Sequence, residues 1–257
     1  MSVDDLVGSR RQPRERVLDR EVAMRLAATE YERVSLLLER LLPEHWALPT
    51  DCPGWDVRAM AGHILGMAEM VAGLPEMLRQ QTLAGRAAKR SGAPLIDELT
   101  ALQVAKNAHL SNAELIGRMR VIGPRAAKFR NRFLGLVQNR RMPEAQAMDG
   151  VEEWWTFGYL FDVVLTRDPF MHRVDICRAT GLDLHVTADH EGVLVDDVAR
   201  DWAGRHGEPV MLELTGPAVG TWTFGGGERV SMDAVEFCRT VSGREPASGV
   251  LAQQVPF

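Results

Sequence analysis

Apolar side chains recur at three- and four-residue steps through the first two thirds of the chain, the spacing that turns one face of an α-helix toward a core. Between residues 19 and 42, Val22, Leu26, Val34, Leu37, Leu38 and Leu41 keep that step among good helix formers, which predicts a first long helix. Pro43, Pro49, Pro53 and Gly54 end it and make a loop. Asp56 then suits an N-cap, and Val57, Met60, Ala61, Ile64, Ala68 and Val71 predict a second helix that buries one stripe, with His63 beside that stripe.

Gly73 and Pro75 break the pattern, so the basic stretch 84–92 is expected to be loop or short helix. Residues 94–120 predict a third long helix closed by Gly123-Pro124, and 125–150 a short surface helix whose basic residues form a solvated face. A further helix follows, because Leu160, Phe161, Val164, Leu165, Asp168, His172, Asp175, Ile176 and Ala179 trace one face. Pro169 should kink it or start it at Asp168. After Gly181 the character changes to a helix over 188–206, strands at 210–215 and 221–224, the run Gly225-Gly226-Gly227, and a last helix over 232–241. The expected organisation is a flexible N-terminal arm (1–18), a helical bundle (19–183) and a small α/β C-terminal domain (184–257).

Composition narrows the setting. With 46% hydrophobic and 25% charged residues and a formal charge of −5, the chain has the balance of a soluble globular protein, and no basic cluster points to nucleic acid. Three cysteines, Cys52, Cys177 and Cys238, form no Cys-x-x-Cys pair, which argues against a disulfide scaffold or a thiolate zinc site and fits a reducing cytoplasm. No apolar stretch reaches the ~20 residues that cross a bilayer, so no membrane partner is expected.

The candidate chemistry lies in two distant segments. His63 sits on the second helix, and Asp168 and His172 are one turn apart on a later one. Two imidazoles and a carboxylate make three protein ligands and leave a coordination position open, as catalytic metal sites do. Singly, each has an ordinary account: either histidine as a hydrogen-bonded core residue, Asp168 as an N-cap before Pro169. Asp175 is either a partner for a metal-bound imidazole or half of an ion pair, and Arg173 reads as structural. His45, His109, His185, His190 and His206 read as surface or structural residues. Cys52 reads as a small residue packed behind the Pro-Gly turn, ahead of a thiol activated by the helix dipole, and Trp55, Trp154 and Trp155 as core or bundle-edge aromatics ahead of pocket lining.

Three segments also carry a resemblance. Cys52-Pro53-Gly54-Trp55-Asp56-Val57-Arg58 leading into His63, residues 168–181, and residues 232–244 around Phe237-Cys238-Arg239 are similar to the mycothiol-dependent maleylpyruvate isomerase family of the DinB-like metal-binding superfamily, over about residue 20 to the end. The resemblance implies a mainly α fold, a DinB-like four-helix bundle followed by a small α/β domain. It implies a divalent metal, zinc, on His63, Asp168 and His172, with Asp168 where the isomerases carry Glu. It places a catalytic arginine at Arg239.

It further implies mycothiol as the low-molecular-weight thiol cosubstrate. Metal coordination deprotonates a thiol whose free pKa is ~8.5. The metal-bound thiolate then attacks an electrophilic small molecule. In an isomerase the adduct rotates and expels the thiol, turning cis into trans; in an S-transferase the adduct leaves. The alternative is a non-catalytic bundle that binds a metal or small molecule.

Overall fold

The computed structural model describes residues 12–148 and 150–257. The chain is mainly helical with a small C-terminal sheet, as expected, and divides into two compact units that do not follow sequence order. Among the described residues, one comprises 27–137 and 172–182; the other comprises 12–26, 138–148, 150–171 and 183–257. Helices α1 (Arg20–Glu39) and α6 (Leu165–Thr180) each run through both.

The all-helical unit is organised around α2 (Val57–Met70). Asp56 caps it, its carboxylate accepting from the Ala59 amide at 2.7 Å. The expected single stripe is wider here: Val57, Met60 through Ala68, and Met70 are all buried, so the helix is covered on every side. Its small residues make that possible. A Cβ on Gly66 would stand 2.6 Å from Gln103 Cβ, so α4 (Leu95–Asn107) packs at a distance only glycine permits. Amides complete the contact, with Asn107 Nδ2 donating to the Gly62 carbonyl (2.9 Å), Gln80 Nε2 to that of Gly66 (3.0 Å), and Gln103 Nε2 to Gln80 Oε1 (3.0 Å). The residue between those glycines' turns is His63.

Three expectations for this unit are corrected. Gly73 and Pro75 do not interrupt structure but begin α3 (Leu74–Ser91), with Gly73 at the N-cap, Pro75 in the first turn and left-handed Gly92 closing it. The long third helix is two, α4 and α5 (Asn112–Arg132), divided because Ser111 and Glu114 form a reciprocal capping box. Nor does Gly123-Pro124 end α5, since Leu115, Met119, Gly123, Ala126, Ala127 and Arg130 bury one continuous face across it.

In the other unit, part of the expected arm is held down. Residues 1–11 lie outside the described residues, but the Arg14 amide donates to the Trp154 carbonyl at 2.6 Å and Arg16 Nη2 to Gln138 at 2.9 Å. The expected surface helix over 125–150 is instead the end of α5, a 3-10 turn (Leu134–Leu136) and the first strand of a hairpin, β1 (Gln146–Met148) with β2 (Val151–Glu153). The C-terminal sheet has order β4-β3-β5, with β3 (Val210–Thr215) antiparallel to β4 (Gly220–Phe224) and parallel to β5 (Glu228–Asp233). To pass from one side of β3 to the other in three residues, the chain folds tightly under Pro209. A Cβ on Gly227, at φ 99°, would meet the Pro209 carbonyl oxygen at 2.2 Å. The glycine run is therefore a crossing rather than the end of the sheet, which is why β5 follows it. Helices α7 (Glu191–His206) and α8 (Ala234–Val241) join through Trp202 and Phe237, whose ring centroids are 5.3 Å apart.

Helix α6 starts at Leu165, three residues before Asp168, so Pro169 neither starts it nor stands alone. A π-helical turn (Tyr159–Val164) precedes it, in which the Leu165 amide reaches back to the Leu160 carbonyl. Proline lacks the amide that would bond the carbonyl four residues earlier and crowds that carbonyl. The wide turn sits where that adjustment is needed. Arg167, fully buried, is clamped by Asp197 (2.7 and 3.0 Å) and Asp201 (2.8 Å), and Arg205 and Tyr159 also bond Asp201. Burial pulls the Arg167 guanidinium pKa down, but the two carboxylates outweigh it and hold it above the ordinary value.

Replacing Gly66 by Ala should destabilise the fold by about 1–3 kcal/mol through overpacking, despite alanine's better helix propensity, as measured by urea denaturation. Glu76 supplies a pH test. Its bond from Arg79 (2.7 Å), with help from Lys106 (2.6 Å) and Gln80 (2.9 Å), holds its carboxyl down from 4.5 to about 2. A carboxyl depressed in the fold stabilises above its unfolded pKa and loses that stabilisation as pH falls through the folded one. Glu76→Gln should therefore be less stable than wild type at pH 7, with the gap closing between pH 4.5 and 2.

Candidate metal centre

The loop before α2 explains the Cys-Pro-Gly-Trp motif. The Trp55 amide donates to the Cys52 carbonyl at 3.1 Å, with Pro53 and Gly54 as the central residues and Gly54 at φ 80°. This is the pattern of a type II turn, which wants proline first and needs a positive φ second. Thr50 ties the turn's far side, its hydroxyl donating to the Trp55 carbonyl at 2.9 Å. Arg178 of α6 pairs with Asp51 at 2.9 Å.

The turn sets Trp55 against both candidate histidines. Its ring centroid is 5.0 Å from that of His63 and 6.0 Å from that of His172, and the two imidazoles meet edge to face at 5.2 Å. Both are buried, His63 to 4% and His172 to 7% exposure. The ligand atoms of His63 and His172 lie within 4.8 Å of each other, and so do those of Asp168 and His172. Asp168 stands one turn before His172 on the continuous helix α6 and is half-buried. Two imidazole nitrogens and a carboxylate oxygen are a donor set that suits a borderline divalent ion such as zinc.

Behind His172 lies Asp175, fully buried, its Oδ2 3.1 Å from His172 Nδ1. An ionised carboxylate only accepts, so beside one Nδ1 carries the proton and the lone pair of Nε2 is left open to a ligand. The same Oδ2 receives the Cys52 thiol at 3.6 Å. Asp175 therefore faces the His172 imidazole, an arrangement common to both accounts open for it. Arg173 is structural, as expected, forming a two-point pair with buried Glu30 at 2.8 Å for each bond.

Arg239 lies in α8, in the other compact unit, 2% exposed and paired with Glu236 and Glu245 at 2.7 Å each. The neighbouring Cys238 offers no nucleophile, since complete burial pushes its thiol up to about 12. His190, expected among surface or structural histidines, is buried. Sequence reasoning favoured Trp55 as a core or bundle-edge aromatic over pocket lining without placing it on the histidines, and missed the bond from Cys52 to Asp175. The turn signal Pro53-Gly54 was the clue to both.

Comparison with known proteins agrees with this architecture. The crystal structure of the mycothiol-dependent maleylpyruvate isomerase superposes with a TM-score of 0.54 over 89% of this chain and 90% of that one, at 16% identity. A histidine-to-alanine mutant of that isomerase gives 0.55 with the same coverage. These likenesses concern the fold. Uncharacterized proteins from two strains of Mycobacterium tuberculosis are 25% identical over 239 residues, 85% of this chain and 84% of theirs. None of the helices among the described residues is long and apolar enough to cross a membrane. The family model for the mycothiol maleylpyruvate isomerase N-terminal domain matches residues 27–177, more than half of the chain and a span that includes His63, Asp168 and His172, and the chain belongs to that family.

Proposed function

We propose that this protein is a cytoplasmic enzyme, an isomerase or S-transferase, that uses a divalent metal and mycothiol to act on an electrophilic small molecule. The observation that carries the reading is the meeting of two buried imidazoles from α2 and α6, with Asp168 one turn before the second. His63, Asp168 and His172 would hold the ion, zinc by the character of the donors. When bound, it supplies Lewis acidity that converts a thiol to thiolate at neutral pH and an open position to hold it.

The chain's own residues do the rest. Asp175 keeps the proton on His172 Nδ1 and so fixes the tautomer that coordinates. Trp55 covers the imidazoles and limits water at their edge. We assign Arg239 to a substrate carboxylate or developing enolate. Its present partners, Glu236 and Glu245, are 43% and 42% exposed, so an incoming carboxylate can take their place without stranding a buried charge.

Protein purified without chelator should carry about one divalent ion per chain, and His63→Ala and His172→Ala should lose it, as read by elemental analysis. Conversion of maleylpyruvate, or thiol addition to related unsaturated acids, should require mycothiol and fall ~100-fold or more in both variants, beyond the 10–100-fold typical of an outer partner. Full turnover by metal-free variants would contradict the proposal, and metal without any thiol-dependent turnover would favour a binding protein. Arg239→Ala should raise KM roughly 10- to 100-fold, the value of a charged hydrogen bond, with Arg239→Lys partly restoring it.

A further inference from the structure

We infer that Cys52 is a positioning residue for the metal centre, acting on His172 through Asp175, and is neither a ligand nor a nucleophile. The inference rests on the metal reading above and extends it to a residue outside the ligand set.

One carboxylate oxygen, Asp175 Oδ2, accepts from two sides: His172 Nδ1 at 3.1 Å and the Cys52 thiol at 3.6 Å. A carboxylate that is wholly buried needs donors to fix its position, and each donor narrows the angles at which it can receive the next. The thiol therefore restrains the oxygen that restrains the imidazole. Cys52 is itself held. It opens the type II turn, its carbonyl taken by the Trp55 amide at 3.1 Å and its amide donating to the Thr50 hydroxyl at 3.3 Å. Asp51, its neighbour, is anchored to α6 through Arg178 at 2.9 Å. The restraint thus runs from a rigid loop on one side of His172 to the helix that bears it.

Cys52, His172 and Asp175 also lie close enough, within 4.8 Å, to form a donor set of their own. That arrangement competes with the one proposed, because an ion taken through Nδ1 would displace the protons that both donors now give to Asp175. The two arrangements differ in a directly visible way, since a thiolate ligand brings a strong charge-transfer absorption to bound cobalt and an outer thiol does not.

The test is chelator-competition titration of zinc and absorption of the cobalt-loaded protein, for wild type, Cys52→Ala, Asp175→Asn and the double variant. We expect stoichiometry to stay at about one, affinity to fall about 10-fold in Cys52→Ala, and the ligand-field bands of cobalt to shift. On the Asp175→Asn background the same substitution should change affinity less than about 2-fold, because coupled residues are non-additive. Thermal melting of the metal-free forms checks that the variants fold. Equal affinities in wild type and Cys52→Ala, or full additivity with Asp175→Asn, would overturn the inference alone. A thiolate charge-transfer band in wild type that disappears in Cys52→Ala would overturn it in favour of direct ligation. A wild type that takes up neither ion would overturn the metal reading and this inference with it.

Discussion

A histidine on a helix buried from every side is the constraint around which this protein is built. An imidazole in that position must be given polar company, because an uncompensated buried polar group costs several kcal/mol. Here α2 brings His63 to its place by close packing on α4, which only Gly66 permits, and α6 answers with His172. The amides of Gln80 and Asn107 take up the neighbouring backbone carbonyls of Gly66 and Gly62, and Gln103 donates to Gln80. The two imidazoles face each other and Trp55, and Asp175 stands behind His172.

The second element is the way α6 is held. Its first turns carry a buried arginine clamped by two aspartates and a proline preceded by a wide turn, both unusual for a helix and both adjoining Asp168. Its later turns carry His172, Asp175 and Arg178, which reach respectively toward His63, the Cys52 thiol and Asp51. A side chain that must present one atom to a small site gains from such over-determination, since small angular errors at the backbone are large at the ligand atom.

Much of this was legible in the sequence, and the reasons are physical. The cap at Asp56, the helical period of α2, and the one-turn spacing of Asp168 and His172 are local signals, and local signals survive in a tertiary context that agrees with them. Several of the misreadings share one cause. Glycine and proline were taken as breakers at Gly73-Pro75 and at Gly123-Pro124, and no strand was read beyond the triple glycine. In the structure they start a helix, sit inside one, and carry the chain under Pro209 to a further strand. The Ser111–Glu114 capping box was a readable sign that two helices had been joined as one. The target of the Cys52 thiol was beyond reach, because Asp175 lies 123 positions away in the chain. The turn that aims both residues was recognisable, but not its target.

The most direct test of the central claim is a crystal structure of the zinc-loaded protein with data collected across the zinc absorption edge. The account predicts one anomalous peak bonded to a nitrogen of His63, to Nε2 of His172 and to an oxygen of Asp168, each at about 2.0–2.2 Å. A peak bonded instead to Cys52, or the absence of any peak at these histidines in metal-saturated crystals, would contradict it.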